Sequence, residues 1–369
     1  MTLMKVPFFN YPKIFSEDET QIREIVSDVI RRGAFILQQD LVDFENAVAQ
    51  YVGAKYCVGV GNATDGLWML CRATGLKEGD EAVFCSHTMI ATASGIYFTG
   101  ANPVPCEVGS DREMDVESAE KMLTPRTKAI VPTQLNGRCC NMDAVLDLCN
   151  RKGLMLIEDS AQALGAKYKG RCAGLFGRGG IISFYPAKTL GAMGDGGCVI
   201  TDDEEIYRKV AMYRDFGRNA KLEAEEWCLN SRLDNLHAAI LNFRFKKYDS
   251  WIARRRELAS MYHFHLAGIP QLTLPPAPDS DPSYFDIFQN YEIEAQRRDD
   301  LVAFLRKKEI GTLIQWGGTP VHKMSKLGFT ESLPYTERFF EHCVMLPMNH
   351  VLTNEEVLYV CEKIKEFYG

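Results

Sequence analysis

The chain has 369 residues, 46% of them hydrophobic and 25% charged, with a formal net charge of -7. That length allows a large core and two domains, and the composition is that of a globular protein. The acidic balance argues against a nucleic-acid surface, since the longest basic run is only Arg254-Arg255-Arg256. No apolar run approaches the ~18–20 residues that cross a bilayer, and the N-terminus lacks a secretory apolar segment. A soluble, cytoplasmic protein that binds neither membrane nor nucleic acid is expected. The 12 cysteines are scattered without C-x-x-C spacing. They read as reduced thiols, and no metal site is expected.

Residues 16–31 carry a helix start, with Ser16 as N-cap and acids in the first turn, then Ile22, Ile25, Val26 and Val29 at helical spacing. Residues 40–51 repeat the pattern through Leu41, Phe44 and Val48. Helical stretches then alternate with short apolar runs at 57–60, 81–84, 103–107, 129–132, 154–159, 180–184 and 197–201. Strands of this kind between helices predict an α/β fold with a mostly parallel sheet covered on both faces. Ligands of such sheets collect at the carboxyl ends of the strands. A long helical region is expected over 231–265, a Pro-rich break over 275–282, and then a smaller α+β region. That region holds an alternating strand at 288–293 and helices at 297–308 and 354–368. The domain boundary is placed at residue 248, giving a large domain of 1–248 with an N-terminal arm and a small domain of 249–369.

The chemistry starts at Lys188, which follows the strand ending at Phe184. A desolvated lysine amine has a lowered pKa and suits Schiff-base formation, although a lone lysine after a strand is more often a surface residue. Asp159 closes the 154–158 run. An N-cap role would account for it alone. Together, a lysine and an aspartate that holds a pyridinium nitrogen make the arrangement used by pyridoxal phosphate. Residues 59–67, Gly-Val-Gly-Asn-Ala-Thr-Asp-Gly-Leu, follow a strand and open a helix. Such a turn seats an anion on backbone N–H groups, and the Thr64 hydroxyl adds a donor. It lacks the third glycine of a dinucleotide fingerprint. Ser183, at the end of its strand, is a second candidate for a phosphate.

Four motifs together resemble the DegT/DnrJ/EryC1/StrS family of sugar aminotransferases: 62–67 (Asn-Ala-Thr-Asp-Gly-Leu), 158–166 (Glu-Asp-Ser-Ala-Gln-Ala-Leu-Gly-Ala), 183–188 (Ser-Phe-Tyr-Pro-Ala-Lys) and 194–197 (Gly-Asp-Gly-Gly). Further similarity lies at Gly33 to Glu45, at 230–234 and at 346–353, so the resemblance spans nearly the whole chain. It implies an aspartate-aminotransferase-like large domain of fold type I and pyridoxal 5'-phosphate (PLP, with its amine form PMP) as cofactor. It also implies amino transfer from L-glutamate to a keto group of a nucleotide-linked sugar, for surface polysaccharide or a related amino-sugar glycan. Lys188 would carry the cofactor and shuttle the proton, Asp159 would bind the ring nitrogen, and Gln162 the phenolic oxygen. Thr64, the Asp65 backbone N–H and Ser183 would hold the phosphate, and Asn230 would reach the neighbouring subunit's phosphate in a homodimer.

Met89 stands where the family has an aromatic residue against the cofactor ring. The segment 134–138, Gln-Leu-Asn-Gly-Arg, departs from the family's His-Leu-Tyr-Gly or His-Leu-Phe-Gly, which places Gln134 and Asn136 as candidate substrate contacts. Asp195 replaces the glutamate common in the turn after the lysine. Arg232 and Arg218 are candidates for a carboxylate or diphosphate, and His322 for the substrate. Two other readings remain open: an aminotransferase for a cyclitol or other non-nucleotide ketone, and a non-catalytic sensor on the same fold.

Overall fold

The computed structural model describes residues 4–369. Eight short strands build the central sheet: β1 (Tyr56–Val60), β2 (Glu81–Cys85), β3 (Asn102–Cys106), β4 (Thr127–Val131), β5 (Met155–Leu156), β6 (Glu158–Asp159), β7 (Gly180–Ser183) and β8 (Gly197–Thr201). Their order is β3-β2-β4-β5 in one half and β6-β7-β8-β1 in the other. The halves join where Thr133 bridges Asp159 in parallel and the Asp159 amide donates to the Pro132 carbonyl at 3.0 Å. All pairings are parallel except the two made by β8, so the sheet is mostly parallel, as the alternation of strands and helices predicts.

Strict period-2 alternation explains how both faces are covered. Val58, Phe84, Val131, Ile181 and Val199 belong to one core cluster, while Cys57, Val83, Ile130, Ile182 and Ile200 belong to the other. The carboxyl ends of β1, β2, β4, β6 and β7 therefore share one edge. The turn that opens β8 lies there too, because β8 runs antiparallel to its neighbours.

A third core cluster contains Leu258, Tyr262, Ile293, Leu301, Val344 and Val360. It packs around an antiparallel sheet of Leu272–Thr273, Tyr291–Ala295 and Cys343–Leu346. The helix Tyr248–Leu266 belongs to both regions. Tyr248, Trp251 and Ile252 sit in the large-domain core, and Leu258, Ala259, Tyr262 and Leu266 in the small one. Val6 bridges Ile310 and joins the small core. Ile287, Phe339, Phe340 and Cys343 return to the large core and Val6 packs in the small one, so each core draws on chain from both sides of residue 248.

Two helix expectations are corrected. Ser16 ends the helix Tyr11–Ser16, and Asp18 precedes the helix Glu19–Arg32. Asp18 does not cap it through its side chain, because the carboxylate pairs with Arg244 at 2.9 Å and Lys247 at 2.5 Å. The helical region 231–265 is two helices, Asn235–Phe245 and Tyr248–Leu266, while 231–234 stays extended. The strand near 288 begins later, at Tyr291, since Phe288 takes a left-handed φ of 50°.

Candidate active site

A cavity of about 490 Å³ opens at the shared strand edge, and Thr64, Met89, Asp159, Gln162, Ser183 and Lys188 line it. Its size is that of a small-molecule pocket. Helix starts bring Thr64 and Met89 there, strand ends bring Asp159 and Ser183, and the turns after those strands bring Gln162 and Lys188.

Lys188 lies in the loop after β7, half-buried, with its amide donating to the Tyr185 carbonyl at 2.8 Å. The buried Gln289 clamps the backbone on both sides of the lysine. Its Oε1 accepts from the Thr189 amide at 2.7 Å and from the Thr189 hydroxyl at 2.9 Å, and its Nε2 donates to the Ala187 carbonyl at 2.9 Å. Burial lowers the Lys188 pKa to about 8, against an opposing pull from Asp159. Roughly a tenth of the amine is then neutral at pH 7, far more than for an ordinary lysine, and the neutral form is the one that Schiff-base chemistry requires.

Asp159 is buried at the end of β6. Its Oδ2 accepts from the Thr92 hydroxyl at 2.6 Å and its Oδ1 from the Ala161 amide at 3.1 Å. Thr92 also meets Thr88 at 2.7 Å, and Thr88 meets Thr133 at 2.8 Å. A carboxylate only accepts, so each hydroxyl must point its proton toward Asp159. Burial raises the Asp159 pKa, opposed by Thr92, Ala161 and the charge of Lys188. A cationic partner in the cavity would restore the ionised form. A protonated pyridine nitrogen is such a partner.

Asn62 caps the helix Ala63–Ala73 and accepts from the Asp65 amide at 2.9 Å. That amide, expected at a phosphate, is therefore already engaged. The Asp65 carboxylate faces Asn62 at 2.9 Å and the Ser231 hydroxyl at 2.5 Å, stiffening the turn. The anion seat is left to the first amides of this helix and to the Thr64 hydroxyl. Ser183 completes it: its Oγ accepts from the Tyr185 amide at 3.3 Å, leaving its proton to donate. Gly197 permits this approach of β8, because a Cβ there would lie 2.8 Å from the Ala63 nitrogen.

Gln162 accepts at Oε1 from the Asn136 amide at 2.8 Å and from Asn290 Nδ2 at 3.2 Å. Met89 precedes the helix Ile90–Tyr97 and is 48% exposed, so it offers its thioether to the cavity mouth. Phe8, Phe9, Leu135, Leu313 and Trp316 give the cavity an apolar wall.

The candidate substrate contacts fall elsewhere. Gln134 is wholly buried, donating to Glu158 at 2.7 Å and accepting from the Cys140 amide at 2.7 Å. Asn136 turns its side chain to Glu292, Asn290 and Gln315, behind Gln162. Arg232 and Arg218 both pair with Asp215, at 2.9 and 2.8 Å. His322 is buried between Ser86 at 2.7 Å and Glu337 at 3.3 Å, and burial lowers its pKa. None of these five lines the large cavity, nor does the exposed Asn230, whose backbone bridges Asp215. Reasoning from sequence missed Gln289, Thr92, Thr133 and the aromatic wall. Only Thr133 carried a signal, as the residue just past β4. Among the described residues, no cluster of metal-ligating side chains and no helix able to cross a membrane is present.

A neutral-prone amine facing a buried carboxylate, with an anion seat between the same strand ends, is the constellation of fold type I PLP enzymes. The residues fit that cofactor at three of its polar points: the phosphate, the ring nitrogen and the carbonyl that meets the amine. Residues 16–365 match the model of the DegT/DnrJ/EryC1/StrS aminotransferase family, and the chain belongs to that family. It is 36% identical over 369 residues to the dTDP-3-amino-3,4,6-trideoxy-alpha-D-glucose transaminase of Streptomyces venezuelae, covering 98% of this chain and 96% of the relative. The crystal structure of S. venezuelae DesV in complex with ketimine intermediate matches with a TM-score of 0.94 at 36% identity, over 99% of this chain and 98% of that one. NtdA from Bacillus subtilis with bound cofactor PMP matches with a TM-score of 0.91 at 25% identity, over 99% and 86%. The chain is a PLP-dependent transaminase.

Proposed function

We propose that the protein transfers an amino group from L-glutamate to a keto group of a nucleotide-linked deoxy sugar, for amino-sugar or surface-polysaccharide assembly. The observation that carries the chemistry is Lys188, half-buried with a pKa near 8 beside Asp159 in one cavity. The substrate class is supported by similarity to the dTDP-amino-sugar transaminase over nearly the whole chain. This reading is preferred to a cyclitol substrate. A non-catalytic sensor would have no need of the Gln289 clamp around Lys188.

The bound cofactor supplies an electron sink for the carbon that loses its proton. Asp159 keeps the ring nitrogen protonated, and the threonine chain behind it fixes which way its oxygens face. Thr64, Ser183 and the helix start hold the phosphate. Gln162 donates its amide to the phenolic oxygen, since its carbonyl oxygen is already occupied. Lys188 Nζ takes the substrate proton and returns it to the neighbouring carbon. Phe8, Phe9, Met89 and Trp316 narrow the mouth and exclude water.

The working unit is proposed to be a homodimer in the cytoplasm, with Asn230 serving the partner's phosphate. Exposed Phe35, Leu37, Phe216, Leu229 and Trp227, the last 96% exposed, support the dimer. So does the loop beside them, where Ser231 reaches Asp65 of the anion seat. The 12 free cysteines support a reducing compartment. The test is a screen of keto-sugar nucleotides with L-glutamate, following 2-oxoglutarate release and the mass of the amino sugar. Release with a cyclitol ketone, and with no nucleotide sugar, would replace this reading.

A further inference from the structure

The strand Tyr291–Ala295 carries a buried acid that the chemistry above does not use. Glu292 is 1% exposed, with His87 Nε2 at 3.0 Å and Asn136 Nδ2 at 2.9 Å from its Oε2. We propose that Glu292 is a positioning residue for the cofactor site, acting through Asn136 to hold Gln162 with its amide nitrogen turned into the cavity. The proposal rests on the reading of Gln162 as the residue that meets the cofactor's phenolic oxygen.

Each link is fixed by which atoms can donate. Burial pushes the Glu292 pKa up, but His87, Arg112 and the Asn136 hydrogen bond outweigh it, and the carboxyl sits below its usual range. An ionised carboxylate only accepts, so Asn136 must present Nδ2 to it. Asn136 Oδ1 then faces the other way, where it accepts from Asn290 Nδ2 and Gln315 Nε2, at 2.9 and 2.8 Å. Held on three sides, Asn136 keeps a left-handed backbone, φ 55° and ψ 10°. Few residues adopt that conformation, and asparagine tolerates it better than most. It aims the Asn136 amide at Gln162 Oε1, 2.8 Å away. A backbone N–H can only donate, so that atom of Gln162 must be the oxygen, and Asn290 Nδ2 adds a second donor to it. The only group Gln162 has left for the cavity is its NH2. A charge on the small-domain sheet is thus converted, through one asparagine, into a fixed donor at the site.

The test reverses the polarity of the first link. Asn136→Asp sets a carboxylate against Glu292, whereas Asn136→Asp with Glu292→Gln restores a donor facing an acceptor and keeps the second oxygen for Asn290 and Gln315. Apoprotein is titrated with PLP, and the visible band of the holoprotein is followed against pH. The single variant is expected to bind PLP about tenfold more weakly and to move the band's pH midpoint by about one unit, the scale of one hydrogen bond to a charged oxygen. The double variant is expected to recover both. Asn136→Gly, which accepts the left-handed backbone but cuts the link, is expected to behave as the single variant and serves if Asn136→Asp does not fold. A lowered melting temperature with an unmoved midpoint in both single variants would overturn the proposal, as would a double variant no better than Asn136→Asp. The cofactor reading fails separately: the unmutated chain would show no visible band, or Gln162→Ala would leave the midpoint where it was.

Discussion

Replacing Asp159 by asparagine separates the cost of the site from its use. The side chain is 2% exposed, and burial raises its pKa against the pull of Thr92, Ala161 and Lys188. Asparagine is nearly isosteric. Its Oδ1 can keep the Ala161 amide, and its Nδ2 can face Thr92, whose hydroxyl then turns its proton toward Thr88, 2.7 Å away. The apoprotein should therefore remain folded and melt no lower than the parent. The sign with pH follows from the raised folded-state value. The folded form binds the proton more tightly than the unfolded one, so Asp159 lowers stability as pH rises through its titration. Asp159→Asn removes that slope. With cofactor bound, the balance reverses, because the carboxylate is the counter-charge of a buried cation. Removing one partner of a buried pair costs about 3–5 kcal/mol, which, spent in the transition state, slows turnover by roughly 10²- to 10⁴-fold. Differential scanning fluorimetry of the apoprotein, together with single-turnover conversion of PLP to PMP by L-glutamate, reads both effects. A variant that turns over within tenfold of the parent would refute the assignment of Asp159 to the ring nitrogen.

Three further outcomes test other parts of the site. The rate at which apoprotein captures PLP should climb with pH and level off above about 8, because only the neutral Lys188 amine attacks. An inflection at the ordinary lysine value of 10.5 would mean that burial does not tune it, and Lys188→Ala should remove the visible band. Gln134→Ala should lower the melting temperature, since Glu158 loses a donor worth about 1–3 kcal/mol in a buried site, while KM for both substrates stays put. A raised KM at unchanged stability would restore Gln134 to the substrate. Mixed dimers of Lys188→Ala and Asn230→Ala subunits should regain activity that neither parent dimer has, because one of the two shared sites is intact. Purified mixed dimers as inactive as their parents would exclude a shared site.

Residues whose role follows from local chain geometry were legible in the sequence. β1, β2, β4, β7 and β8 show as short apolar runs because both faces are buried. Thr64, Asp159, Ser183 and Lys188 could be placed because each stands at a helix start or just past a strand. The clamp on Lys188 was not legible: Gln289 is 101 residues further on, in a segment that reads as plain strand. The break at Lys246 and Lys247 was equally hidden, since neither glycine nor proline marks it.

Gln134 and Asn136 lie outside the cavity for different reasons, and the difference shows what a pattern can carry. Just beyond β4 Thr133 still pairs with Asp159 as a strand residue does, so the next side chain falls on the other face. Thr133 and Leu135 line the cavity, and Gln134 must point the opposite way, into the core at Glu158. That much was available from the spacing alone. Asn136 was not, because its left-handed φ breaks the alternation, and what stabilises that φ is a carboxylate 156 residues away. In the strand Tyr291–Ala295, alternation puts Glu292 and Glu294 on one outward face, yet Glu292 is buried and Glu294 only partly so. Burial of one acid out of pattern is costly unless partners are supplied, and His87 and Asn136 supply them. Such a local conflict tends to fall at a functional site, and here it leads back through Asn136 to Gln162. The sheet and the lysine follow from periodicity. The orientation of the cofactor's neighbours is set where periodicity is violated, by contacts between the small domain and the large one.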